Sequence, residues 1–148
     1  MESRNKVERR IIMSHFCSVK TKIMDEVCLR KAIEDCGYKV IENTEVKSYE
    51  GEKQKVDFAL DLKSKYGVGF KQTQEGFTVV ADWWGVGTER IKVPTKKEEN
   101  MRENTFMEGI NQRYAYRKTL SALEEQGFTL AEETLGEEQE ICLTVRQW

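Results

Sequence analysis

Val56-Asp-Phe-Ala-Leu-Asp-Leu62 alternates apolar and polar side chains along its length, which predicts a half-buried strand with Val56, Phe58, Leu60 and Leu62 on one face. Gly51, within Tyr49–Lys53, marks the turn before it, and Thr73–Gly76 marks the turn between strands at Val68–Gln72 and Phe77–Trp84. Two hairpins predict a mainly antiparallel sheet. Upstream, Ser14–Ile23 reads as a first strand and Asp25 as the N-cap of a helix with Cys28, Leu29, Ala32, Ile33 and Cys36 on one face. Gly37 stops that helix, and a short strand follows at Tyr38–Ile41. Downstream, a second helix runs from Asn104 to Gln126, and Thr129–Thr134 pairs with Glu140–Trp148 around Gly136. The order β-α-β-β-β-β-α-β-β predicts an α+β fold, a mainly antiparallel sheet with two helices packed on one face, ferredoxin-like or a related sandwich.

Residues 13–148 are expected to form one domain, with a charged loop at about 85–104 holding the sole proline, Pro94, and the run Lys96-Lys-Glu-Glu-Asn-Met-Arg-Glu. Residues 1–12 show little periodicity and end before Met13, and Glu8-Arg9-Arg10 can be encoded by a purine-rich, ribosome-recruiting string. They read as a non-native or disordered extension, with translation starting at Met13; the alternative is a basic arm for an acidic partner.

With 24 Lys+Arg against 26 Asp+Glu, the net charge of −2 removes the simplest electrostatic case for nucleic-acid binding. No apolar run approaches the ~20 residues of a membrane span, so a soluble protein with no membrane partner is expected. Cys17, Cys28, Cys36 and Cys142 lack paired CxxC spacing and no signal peptide precedes them. The expectation is a reduced, cytoplasmic chain with no metal and no cofactor.

On a helical wheel Phe106, Ile110, Tyr116, Leu120 and Leu123 define a core-facing stripe, and Arg113 and Arg117 fall within it. A guanidinium there snorkels, pairs with a buried carboxylate or holds an anion, because an unpaired charge in the interior is costly. Asp82, after Phe77-Thr-Val-Val-Ala, is the carboxylate expected to pair with Arg113. His15 and Cys17 share a strand face but have no third ligand at a metal-site spacing, and Cys28 and Cys36 fit the apolar stripe of their helix.

The Gly-Val-Gly strings at 67–69 and 85–87 lack what a phosphate loop needs. Gln112-Arg-Tyr-Ala-Tyr-Arg-Lys118 interleaves basic and aromatic residues, yet on a helix they point several ways. Trp83 and Trp84, read as adjacent strand residues, would face opposite sides, so at least one of them packs outside the main core or under a covering segment. The stretch 124–140 has seven glutamates and no lysine or arginine, either a solvated face or a docking surface for a basic partner.

The strings Met13-Ser-His-Phe16, Tyr66-Gly-Val-Gly-Phe70, Val80-Ala-Asp82, Gln112-Arg-Tyr-Ala-Tyr116, Gly127-Phe128 and Val145-Arg-Gln-Trp148 lie in an order and spacing that resemble the hypothetical chloroplast reading frame 35 family, domain of unknown function 1257. The likeness covers nearly all of 13–148. It implies a small soluble α+β protein without an established biochemical role, and it fits a start at Met13. The chain departs from the family pattern in Cys17 where plastid-type members have serine, in a longer charged insertion around 88–104, and in the Arg-Gln order before Trp148.

Two functions are carried forward. One is a non-enzymatic accessory or protein-interaction role, the partner being another protein. The other is a small-molecule or anion-binding role, with or without catalysis, centred on Arg113. The candidate ligand or partner site comprises His15, Asp82, Arg113, Tyr114, Tyr116 and Trp148; no catalytic residue is assigned.

Overall fold

The computed structural model describes residues 16–88, 90–91, 99–136 and 140–147. Strand β1 (Cys17–Lys20) leads to helix α1 (Glu26–Asp35), then to β2 (Val40–Lys47), β3 (Lys53–Leu60), β4 (Val68–Thr73) and β5 (Gly76–Ala81). A short helix α2 (Trp83–Gly87) and a ribbon of β6 (Arg90–Ile91) with β7 (Glu99–Asn100) precede the long helix α3 (Glu103–Glu125), which is followed by β8 (Phe128–Leu135) and β9 (Ile141–Gln147). The expected α+β class holds. The five-stranded sheet has the order β1-β5-β4-β3-β2 with every ladder antiparallel, a meander with β1 docked on its end rather than the split arrangement of a ferredoxin-like sheet.

Both longer helices cover one face of that sheet. Leu29 and Ile33 of α1 and Phe106 and Ile110 of α3 share a core with Phe58, Phe70, Phe77 and Val79. Phe58 stacks on Phe70 with ring centroids 5.1 Å apart, and Phe106 reaches Phe70, Tyr38 and Trp83 at 6.4, 5.8 and 5.7 Å. Rings packed this way combine large apolar burial with favourable edge and offset contacts. The Asp25 carboxylate accepts the Cys28 amide at 3.1 Å and so caps α1, and Gly37 ends it with φ 92°.

Alternation fails at one point in the sheet, and it shapes the other face. Phe58 and Glu42 are register partners on the helix side, where Glu42 bonds Arg30 of α1. Two residues further on, the partners Thr44 and Val56 have turned away: Val56 packs with Val46, Ala59 and Val80 in a second, smaller core on the outer face. Val56 therefore does not share a face with Phe58, Leu60 and Leu62 as the sequence predicts. The reason lies in the backbone between the two pairs. Asn43 adopts φ 44°, and the Asp57 carboxylate, not a ladder carbonyl, accepts the Gln72 amide at 2.6 Å. β3 is register-paired with β4 only at Phe58–Phe70 and Ala59–Gly69. Beyond that bend the hairpin doubles back across the outer face of the sheet.

The first Gly-Val-Gly string makes this possible. A Cβ on Gly69 would meet Val56 Cγ1 at 2.5 Å and its Cβ at 3.0 Å, and one on Gly67 would meet Val46 Cγ1 at 3.0 Å. Gly69→Ala is expected to cost about 1–3 kcal/mol through overpacking. Val56→Ala in the same chain should relieve it, leaving the double variant about 1 kcal/mol more stable in urea than the sum of the single losses. Additive losses would place the hairpin elsewhere.

Other expectations need correction. β5 ends at Ala81, so Trp83 and Trp84 are helical and do not alternate across a strand. Of the stretch 85–104, the described ends carry buried Gly85 and Val86 in α2 and buried Met101 just before α3. Residues 1–12 lie outside the described residues.

Candidate functional site

Arg113 and Arg117 are one turn apart on α3, and both reach Asp35 in the last turn of α1. Arg113 donates to Asp35 Oδ2 from Nε at 3.1 Å and from Nη2 at 3.0 Å; Arg117 donates from Nε to Oδ2 at 2.8 Å and from Nη2 to Oδ1 at 2.6 Å. The expected pairing of Arg113 with a carboxylate is present, but the carboxylate is Asp35, not Asp82. Tyr116 lies under both guanidiniums, with their carbons 4.1 and 5.4 Å from its ring centroid, and donates its hydroxyl to Glu133 of β8 at 3.0 Å. Arg113 Nη1 lies 3.8 Å from Glu133.

The start of α1 is tied to the same turn of α3. The Asp25 amide donates to the Tyr114 hydroxyl at 3.2 Å, and Lys118 reaches the Asp25 carboxylate at 3.4 Å. α1 is ten residues, about 15 Å, long, so it crosses α3 rather than running along it. Arg113, Tyr114, Tyr116, Arg117 and Lys118 thus bind α1 and β8 to α3. They form no open platform.

Burial acts to raise the Asp35 carboxyl pKa but is outweighed by the hydrogen bonds from Arg117 and Arg113 and by their charges, which hold it below the usual carboxylate value of 3.8. The unfolded chain then takes up the proton first as pH falls. Stability from this contact is complete above about pH 4 and is lost as pH falls through the lowered value. Urea midpoints at pH 7 and pH 3 should therefore fall further for the wild type than for Asp35→Asn, which has no carboxyl to protonate there. Equal falls would mean that Asp35 does not titrate with folding.

Asp82 belongs to a different place. It is fully buried, and its two carboxylate oxygens accept the Gly85 amide at 3.0 Å and the Tyr49 amide at 2.7 Å. The first bond caps α2; the second fastens the tip of the folded-back hairpin to the end of β5. Above this clip stand three aromatic rings. Tyr49 meets Trp84 edge-on at 4.3 Å and lies 6.1 Å from Tyr66. Tyr49 is 51% and Trp84 41% exposed. The sequence marks the Trp83-Trp84 pair but gives no sign of Tyr49, whose position depends on the hairpin bend. His15 and Trp148 lie outside the described residues. Among the described residues no group of three His, Cys, Asp or Glu side chains is arranged to hold a metal, and no helix is long and apolar enough to cross a membrane.

A family model described as "Protein of unknown function (DUF1257)" matches residues 32–144. The chain belongs to the DUF1257 family. The match runs from α1 through most of β9 and so contains Asp35, Asp82, Arg113, Arg117 and Glu133. Over 139 residues the chain is 27% identical to the uncharacterized protein ycf35 of Cyanophora paradoxa, covering 92% of this chain and 98% of that relative. The ycf35 proteins of Guillardia theta and Pyropia yezoensis are 26% and 25% identical with the same coverage. No solved structure matches this DUF1257 chain.

Proposed function

We propose that the protein works by binding another protein, not by catalysis, and that Tyr49, Tyr66 and Trp84 form the contact surface. The observation that carries this reading is the exposed Tyr49–Trp84 pair standing on a buried carboxylate clip. Tyrosine and tryptophan are the side chains most enriched at interface centres, and a pre-ordered pair loses little entropy on docking. The anion-binding reading has less support, since Arg113 and Arg117 already share Asp35. The nucleic-acid reading has less still, because the aromatic and basic residues of 113–118 are engaged within the fold. We place the protein in a reducing, cytoplasmic compartment, in which Cys17, Cys28, Cys36 and Cys142 remain thiols.

Affinity isolation from the native host tests the surface. Tagged wild type and the control Lys31→Ala, altered on the exposed side of α1, should retain a common partner that Tyr49→Ser/Trp84→Ser loses while keeping a wild-type circular dichroism spectrum and melt. Retention of the same partner by the double variant would remove the assignment.

A further inference from the structure

The folded-back half of the β2–β3 hairpin turns Val46 and Val56 toward the sheet, so the alternate residues, Glu45, Lys47, Lys53 and Lys55, stand on its outward side. With Lys71 of β4 they line a cleft of about 810 Å³ whose other acid is Asp57. Asp57 is already engaged by the Gln72 amide. Among the described residues none of the four lysines is in an ion pair.

Lys47 and Lys53 are direct register partners. Like charges directly opposite across a ladder destabilise it, and an anion between them would relieve that repulsion. Lys53 and Lys55 are two positions apart on one strand, about 6.4–6.8 Å, which is the separation of alternate carboxylates on an extended chain. β3 is register-paired with β4 only at Phe58 and Ala59, so its Lys53–Val56 stretch, which carries two of the lysines, has a second edge free of a neighbouring strand among the described residues. No aromatic side chain lines the cleft, which gives single-stranded nucleic acid nothing to stack on.

We propose that this cleft docks an acidic, extended polypeptide segment of a partner, held by Lys47, Lys53, Lys55 and Lys71 and by strand addition at the hairpin edge. The site goes beyond the aromatic surface and does not rest on it, because its test uses the purified protein and a synthetic probe alone.

The probe is a fluorescein-labelled peptide of alternating Glu and Thr, followed by anisotropy at low and physiological ionic strength. Wild type and Lys31→Glu should bind it, more weakly as salt rises. Lys53→Glu/Lys55→Glu should weaken binding about tenfold or more. In that variant Lys53→Glu places opposite charge across from Lys47 while Lys55→Glu places like charge across from Glu45, so the two changes offset and its urea melt should stay near the wild type's; if it nonetheless fails to fold, Lys53→Gln/Lys55→Gln takes its place with the same expected loss. The same peptide with alternate backbone amides methylated keeps its charge but cannot extend a ladder, and should bind at least several-fold more weakly. Equal binding by the charge-reversed chain, equal binding of the methylated peptide, or tighter binding of an oligouridine than of the peptide would each overturn the proposal. So would lysines that serve only to guard an exposed edge, which would show as self-association of the Lys→Gln variant without peptide binding by the wild type.

Discussion

Asp82→Ala should lower stability by about 3–4 kcal/mol, because it removes a charged acceptor from two amides at once. The Gly85 amide loses its N-cap partner, and the Tyr49 amide loses the bond that fastens the hairpin tip to β5. Asp82→Asn should cost roughly half as much. Asparagine keeps a carbonyl oxygen for the Gly85 cap but turns an N–H toward the Tyr49 N–H. Urea unfolding of the three proteins gives the order directly, and a loss below about 1 kcal/mol for Asp82→Ala would mean that both amides find other acceptors. The variant should also disorder the Tyr49–Trp84 pair, since the clip fixes both partners.

Asp35→Ala should cost about 2–4 kcal/mol, somewhat below a fully buried pair, since the carboxylate side chain is 13% exposed and the two guanidiniums 23% and 29%. It leaves two arginines facing one another over Tyr116 with Glu133 as the remaining nearby acid among the described residues. Arg113→Ala should cost less, about 1–2 kcal/mol, because Arg117 still engages both oxygens of Asp35. A double-mutant cycle between Asp35 and Arg117 should show coupling above about 1 kcal/mol, and one between Asp82 and Arg113 below about 0.5 kcal/mol. The reverse pattern would restore Asp82 as the partner of Arg113.

The order of the longer elements and both hairpins are legible in the sequence because period-two alternation and turn glycines are local signals; α2 and the β6–β7 ribbon, too short to carry a period, are not. The bend at Asn43 and Asp57 is not, since Val56 continues the apolar alternation of Phe58 and Leu60 while its backbone has already turned. Gly67 and Gly69 are needed for close approach, but what approaches them is fixed only once the hairpin has folded over. Asp35 did carry a signal. An acid in the last turn of a helix with no basic neighbour there opposes the helix dipole, and such a residue needs a cation from elsewhere in the fold. For Asp82, the spacing to Gly85 is that of an N-cap, but the apolar run before it reads more strongly as a strand that continues through the tryptophans.

The fold-back divides one hairpin between two leaves of different thermodynamic rank. The near leaf, Phe58–Leu60 with Val40–Glu42, is pinned under α1 and the central aromatic rings. The far leaf, Thr44–Lys47 with Lys53–Val56, is held by two valines, two glycine contacts and the Asp82 clip. It can therefore lift as a unit while the rest stays folded, a sub-global opening whose amides exchange with solvent ahead of the central strands. Lys47, Lys53 and Lys55 of the cleft ride on this leaf and Tyr49 of the aromatic surface stands at its tip, so a ligand that ties either to the fixed residues beside it, Lys71 or Trp84, would register as slowed hydrogen exchange across the leaf.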